Sequence, residues 1–176
     1  PESIDFSRST TATIFENVIK NSVHLLDLLN FIAGPISFSF AAGSTFHTPT
    51  QGRVLLGESD RGDIVVVKLV WNSPSNFSIA IEDRGKKFLL SPLEHGKLYQ
   101  GMDVSEPTAA IPVRSYSPRL LREFPLDSNY AKFKPGFVEQ MIDFRILLES
   151  GERSERLATI ADAFQALSLA ERILEH

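Results

Sequence analysis

The chain has 176 residues, 43% of them hydrophobic, so it can bury a core as one domain. A net charge of -4 excludes the basic surface of a nucleic-acid-binding protein and provides no polybasic membrane patch. The absence of cysteine excludes disulfides, thiolate metal ligands and a cysteine nucleophile, and no apolar run approaches the roughly 20 residues that span a bilayer. These features predict a cytoplasmic protein.

The first predicted element is a helix over residues 14–32. Its apolar residues recur at helical spacing on two flanks: Val18, Leu25, Leu28, Leu29 and Ile32 on one, and Ile19, Val23 and Leu26 on the other. Gly34 followed by Pro35 is the usual signal for the end of a helix.

The middle of the chain changes to the alternating pattern of strands. "ISFSFAAG", "GRVLLGES", "FSIAIED" and "KKFLLS" are separated by turn residues, so neighbouring strands are expected to be antiparallel. The apolar run at residues 63–71 predicts a central strand. Pro112 in "AIPVRSY" favours an edge position. The stretch 100–134 fits either a loop-rich lid or a sheet edge.

Helical spacing returns near the end of the chain. "FVEQMIDFRILLES" predicts one helix, Gly151 ends it, and Ser154 is a candidate N-cap for the next. The order of one helix, five to seven strands and two helices predicts an α+β fold. It would contain one open, mostly antiparallel β-sheet with helices packed on one face.

Several common sites are missing from the sequence. Neither of the two glycine-rich nucleotide-binding motifs is present, nor is the Gly-x-Ser-x-Gly motif of a serine nucleophile. The four histidines have no partner at a recognised metal-ligand spacing, so no metal site is expected. His47 and His95 lie in turn-like stretches and are expected to be exposed, and His176 is the last residue.

One histidine lies inside a helical pattern, at "VIKNSVHLLDLLNF". Glu16, Lys20, His24 and Asp27 are three or four residues apart and would share one helix face. One interpretation is a solvated face with charge pairs. The other is a cleft wall, because apolar flanks leave only a narrow polar strip. In a cleft, His24 would suit proton transfer near neutral pH, Asp27 could orient its ring, and Lys20 could bind an anion or a hydroxyl.

The stretch "NSVHLLDLLNFIAGPI" resembles the Gfo/Idh/MocA oxidoreductases, in which a helix with His-x-x-Asp-Leu-Leu opens the C-terminal domain. An open sheet and an ending similar to "FVEQMIDFRILLESGERSERLATIADAFQALSLAERI" follow in that family. The resemblance covers essentially the whole chain. It implies that residues 1–176 are a single C-terminal domain for substrate binding and oligomerisation, with the N-terminal Rossmann domain absent from this chain.

The resemblance also implies roles for particular residues. His24 would exchange a proton with a sugar hydroxyl, while Lys20, Asn21 and Asp27 would contact the substrate. Many family members have Asp four residues before the histidine, where this chain has Lys20. That departure implies either an acidic or phosphorylated sugar as substrate, or lost activity. NAD or NADP would be the cofactor of the full-length protein, with none bound by this chain alone.

Two functions therefore stand at this point. The first is the substrate-binding and dimerisation half of an NAD(P)-dependent oxidoreductase acting on a sugar, sugar acid or cyclitol. Its partners would be a Rossmann domain, a carbohydrate-like substrate and a second copy of the chain. The alternative is a non-catalytic ligand-binding or assembly module with the same fold. A free-standing histidine-dependent hydrolase or lyase has no nucleophile or metal motif to support it.

Overall fold

The computed structural model describes residues 16, 18–43, 52–71, 74–126, 133 and 135–175. Its elements are a π-helical turn Val18–Ser22, α1 Val23–Ala33, β1 Ile36–Gly43, β2 Gly52–Ser59, β3 Ile64–Val70, β4 Ile79–Asp83, β5 Lys86–Leu90, β6 Gly96–Ser105, β7 Ser115–Phe124, α2 Phe137–Ser150 and α3 Ile160–Glu175. None of the described helices is both long enough and apolar enough to cross a membrane.

The α+β class with open antiparallel strands is confirmed. The single predicted sheet is replaced by two, a three-stranded sheet in the order β1-β2-β3 and a four-stranded sheet in the order β4-β5-β6-β7. All neighbouring strands pair antiparallel. The break follows β3, where Pro74 cannot donate to a ladder and the next described strand begins at Ile79.

The chain divides into two compact units, Pro1–Pro74 with Ala158–His176, and Ser75–Leu157. In the first unit, α3 contacts α1, the π-turn and β1, so α3 lies against the three-stranded sheet and α1 packs on α3. The buried apolar residues of the first unit are Val18, Leu25, Leu26, Ala33, Ile36, Leu55, Val65, Val67, Leu69, Ala166, Leu169, Ala170 and Ile173.

The expected central position of residues 63–71 is wrong. β3 is the last strand of its sheet, and β2 is the central one. Val65, Val67 and Leu69 are buried, but the alternate residues Ile64 and Val66 are 81% and 66% exposed. A strand that is apolar on both faces therefore reflects an uncovered apolar face here, not a central position in the sheet.

The predicted helix ends are partly right. Gly34 and Gly151 have positive φ angles of 80° and 75°, and each donates its N–H to the carbonyl four residues earlier, at Asn30 and Leu147. Ser154 as the cap of the last helix is wrong, because that helix begins at Ile160.

The cap of α3 is Thr159. Its N–H and its hydroxyl both donate to Asp162 Oδ2 at 2.6 Å, and the N–H of Asp162 donates to Thr159 Oγ1 at 3.2 Å. This is a reciprocal capping box, which satisfies two amides at the helix start. Ser154 instead forms a turn, in which its carbonyl accepts from the N–H of Leu157.

The second unit contains the stretch that the sequence left open. β6 runs to Ser105 and pairs with β7, so most of residues 100–124 form a long hairpin. β7 is the last strand of its sheet, which supports the sheet-edge alternative. The strand begins at Ser115, after the segment "AIPVR" that was expected to be part of it.

Candidate functional site

The candidate site lies on the exposed face of the first helix. Lys20, His24, Asp27 and Phe31 are exposed and follow one another at spacings of four, three and four residues. On the opposite side, Val18, Ser22, Leu25 and Leu26 are buried. The predicted polar strip is therefore present, and three of the four predicted site residues lie along it. The side chain of Asn21 lies outside the described residues.

The helix that carries this strip is not uniform, which corrects the single helix expected over 14–32. Residues Val18–Ser22 form a π-helical turn, and the α-helix begins at Val23. Residues 14, 15 and 17 lie outside the described residues. A π-turn is wider than an α-turn, so it rotates Lys20 relative to His24 from the position that continuous α-helix would give. Such turns are rare and are often found at functional sites.

Lys20 forms an ion pair at the N-terminal end of the strip. Its Nζ lies 3.1 Å from Glu16 Oε2, four residues earlier, and both side chains are mostly exposed. Exposed pairs of this kind contribute little free energy and exchange readily with solvent or other ions. Lys20 is therefore available to an anionic ligand that displaces Glu16.

Asp27 is electrostatically linked to α3. Partial burial of its carboxyl raises its pKa above the ordinary value, the negative charge of Asp162 raises it further, and nearby His24 acts in the opposite direction. Asp27 is exposed as a residue, yet its carboxyl group loses part of its hydration. His24, Asp27 and Asp162 therefore form one electrostatic group, in which Asp162 is held by the Thr159 cap.

The other histidines are not brought to this face by any described contact. His47 and His176 lie outside the described residues. His95 is only partly exposed, contrary to expectation, because its Nε2 is 2.8 Å from Glu123 Oε1. The bond from His95, with further help from Lys97, lowers the pKa of Glu123. Across the described ranges, no group of three or more His, Asp or Glu side chains could hold a metal ion.

The described helix starts lack the glycine-rich turn of a dinucleotide-binding loop. A phosphate cradle needs free amides at a helix N-terminus reached through a glycine-rich turn. α1 is entered from the π-turn, α2 follows the single glycine Gly136, and the Thr159 capping box occupies the amides of Thr159 and Asp162 at the start of α3. That this chain alone binds neither NAD nor NADP stays a prediction.

The sequence did not single out Ser22, Trp71 or Asp162. Ser22 is buried, and Trp71 donates its indole N–H to Ser22 Oγ at 3.4 Å. The spacing Thr-x-x-Asp at residues 159–162 was a usable signal for the cap. No local pattern links Ser22 to Trp71, because the two residues are 49 positions apart.

Comparison with known proteins finds similarity in structure but not in sequence. No family model matches the chain, and no curated protein matches it.

The solved structures that resemble this chain include several oxidoreductases. The dehydrogenase MviM from Clostridium difficile superposes with a TM-score of 0.66 at 12% identity, over 94% of this chain and 50% of that one. An oxidoreductase from Agrobacterium radiobacter, in complex with NAD+, L-tartaric acid and magnesium, gives 0.58 at 15% identity, over 90% and 46%. The WlbA dehydrogenase from Bordetella pertussis, in complex with NADH and UDP-GlcNAcA, gives 0.51 at 14% identity, over 90% of this chain and 43% of that one.

The chain spans about half the length of these structures. At such low identity, the similarity establishes the fold alone. The fold implied by the resemblance to Gfo/Idh/MocA oxidoreductases is thereby confirmed.

Proposed function

We propose that this chain is the substrate-binding half of an NAD(P)-dependent oxidoreductase of the Gfo/Idh/MocA type, with His24 as its proton carrier. The carrying observation is the exposed strip of Lys20, His24 and Asp27 on a fold shared with solved dehydrogenases. The dinucleotide would be held outside this chain, in the Rossmann half that the resemblance implies. Oxidation of a hydroxyl must remove a proton from oxygen, and this chain supplies a group for that proton.

The chemistry of the strip favours a hydroxylated substrate with a negative charge. His24 can accept the hydroxyl proton, because an imidazole changes its charge near neutral pH. Lys20 can bind a carboxylate or phosphate by exchanging it for Glu16. Two of the solved neighbours carry acidic, hydroxylated ligands, L-tartaric acid and UDP-GlcNAcA. We therefore propose a sugar acid as the substrate in preference to a neutral sugar or cyclitol. Asn21 and Asp27 would be further contacts to it.

The test of His24 separates catalysis from stability. In the full-length enzyme, His24→Ala should lower kcat by about 10²–10⁴-fold, the usual contribution of general acid–base catalysis. The thermal midpoint should stay nearly unchanged, because His24 is exposed. His24→Gln is the matched control, since it keeps a polar side chain of similar reach and should lose as much activity. Full activity in either variant, per folded molecule, would refute the proposal.

Lys20 and Glu16 provide an opposed pair of variants. Lys20→Ala should raise KM for an anionic substrate with a smaller change in kcat. Glu16→Gln should lower KM for the same substrate, because it removes the carboxylate that competes for Lys20. Steady-state kinetics at fixed ionic strength measures both effects. Equal KM values in the two variants would exclude Lys20 from substrate binding.

We also propose that two copies associate through the uncovered face of the three-stranded sheet. Leu56 pairs with Val66 across β2 and β3, and both are exposed. Val54, Ile64 and Val70 are exposed on the same face, which also carries the exposed Lys68 opposite Val54. A mostly apolar exposed surface of this kind usually marks an interface. Light scattering should report a dimer, and Val66→Lys should shift it towards monomer. A wild-type monomer at high concentration would contradict this proposal.

The same surface supports the alternative function, an assembly module of this fold without turnover. Calorimetry tests whether the dinucleotide is held outside this chain, because we then expect no measurable binding of NAD or NADP to the 176-residue chain, and micromolar binding would contradict that assignment. Mass and N-terminal sequencing of the native protein would show whether a Gly-rich βαβ unit accompanies it. The cytoplasmic location stays a prediction.

A further inference from the structure

Ser22 occupies the N-cap position of α1 without acting as a cap. Its φ and ψ of -74° and -22° are helical, and its side chain makes no capping hydrogen bond. A typical N-cap serine is extended and accepts from an amide two or three residues later. Here the chain enters α1 from the π-turn and not from a loop, so that arrangement is lost. The hydroxyl of Ser22, which is only 2% exposed, therefore needs another partner.

Trp71 is that partner. Its indole N–H donates to Ser22 Oγ at 3.4 Å, which is longer than a typical N–H···O hydrogen bond of about 2.7–3.2 Å. Trp71 directly follows β3, so the bond ties the end of the sheet to the junction between the π-turn and α1. An indole can only donate, and a serine hydroxyl can accept, so the pair is chemically matched.

The junction controls how two residues of the proposed site face each other. Lys20 lies within the π-turn and His24 within the α-helix, so their relative orientation depends on where one form gives way to the other. A π-turn is less favourable than continuous α-helix and persists only where tertiary contacts hold it. Among the residues of this turn whose burial is described, Val18 and Ser22 are buried, and α3 also contacts the turn.

We propose that Trp71 is a positioning residue, which fixes the π-turn through Ser22 and thereby sets Lys20 relative to His24. This inference rests on the proposed function, because it concerns the geometry of the proposed site at Lys20 and His24. Without the indole donor, the hydroxyl of Ser22 can bond to a backbone carbonyl of the preceding turn, as helical serines do. The π-turn would then compete with ordinary α-helix.

Hydrogen exchange tests the turn without reference to activity. In the full-length protein, Trp71→Phe keeps an aromatic ring and removes the donor, and Ser22→Ala removes the acceptor. Both should accelerate amide exchange about tenfold over residues 18–24 and leave β2 unchanged. Ser22→Ala should also shift the indole N–H resonance of Trp71, which is the single tryptophan of this chain. Tyr99→Phe, at a part-buried aromatic of β6, is a control that should leave residues 18–24 unchanged.

Kinetics tests the effect on the site. Each variant should raise KM for an anionic substrate about tenfold with a smaller change in kcat, and the double variant should be no worse than either single one. Unchanged exchange at residues 18–24, or faster exchange with an unchanged KM, would overturn the inference. If His24→Ala kept its full kcat while amide exchange over residues 18–24 was still accelerated, the proposed function would be wrong. Trp71 would still be the residue that holds the turn. If Trp71→Phe fails to fold, Ser22→Ala alone decides by the same two measurements.

Discussion

β3 of the first unit and β7 of the second show how differently two end strands can be used. β3 alternates strictly between buried and exposed residues, whereas all ten residues of β7 are exposed. Both strands are last in their sheets. In the first unit α1 and α3 pack together and α3 contacts β1, so one face of the sheet is covered. A strand's own sequence does not tell whether a helix will cover it.

The helices differ in the same way. α1 buries Leu25 and Leu26, while the buried residue of α2 is Asp143. The apolar residues Phe137, Met141, Phe144 and Leu148 of α2 recur at spacings of four, three and four, and all are exposed. The apolar core of the described chain is therefore concentrated in the first unit, and most of the apolar surface of α2 is uncovered.

The largest expected effect uses one leucine from each helix. Leu26 in α1 is fully buried, so Leu26→Ala should lower the free energy of unfolding by about 2–5 kcal/mol. Leu148 in α2 is 70% exposed, so Leu148→Ala should change it by less than about 0.5 kcal/mol. Urea unfolding of both variants measures the difference. Similar losses would mean that α2 is covered in solution and would remove the contrast between the units.

A smaller effect is expected at the charged core of the second unit. Arg156 donates to the buried carboxylate of Asp143 at 2.7 Å, while most of the Arg156 side chain is exposed. Arg156→Ala leaves a buried carboxylate without this partner and should cost about 1–3 kcal/mol. Asp143→Asn leaves an exposed arginine and an uncharged acceptor, so it should cost less. Thermal unfolding that ranked the two variants in the reverse order would show that the arginine is not what stabilises Asp143.

Much of the fold could be predicted from local patterns. β1, β2 and α2 have the bounds that alternation and helical spacing indicated, and Gly34 and Gly151 end their helices as expected. These features depend on residues close in sequence. The position of β3 and the division into two sheets depend on long-range pairing, which alternation does not encode.

The candidate site was predictable only in part. The spacing of Lys20, His24 and Asp27 indicated a shared face because helical periodicity is local. The π-turn, the Ser22–Trp71 bond and the influence of Asp162 on Asp27 all depend on contacts between distant segments. The roles of His24, Lys20, Asn21 and Asp27 stay predictions.

The smallest expected effect is on the pH dependence of stability, through Asp27 of α1 and Asp162 of α3. The pKa of Asp27 is raised in the folded protein above its unfolded value of about 3.9, first by partial burial and then by Asp162. The folded state therefore holds this proton more tightly, so the contribution of Asp27 to stability is present below the unfolded pKa. It is lost as pH rises through the folded pKa.

Asp27→Asn removes this titration. Its thermal midpoint should match the wild type in acid and exceed it at neutral pH, where the wild-type carboxylate is charged and faces Asp162. The gain should stay below about 1 kcal/mol, because Asp27 is exposed and solvent screens the repulsion. Added salt should make the difference in thermal midpoint between Asp27→Asn and the wild type smaller still. Asp60, an exposed carboxylate of the same unit, gives the control: Asp60→Asn should show no comparable gain. A neutral-pH loss on Asp27→Asn would mean that the ionised carboxylate makes a favourable contact, and that its pairing with His24 outweighs its repulsion from Asp162.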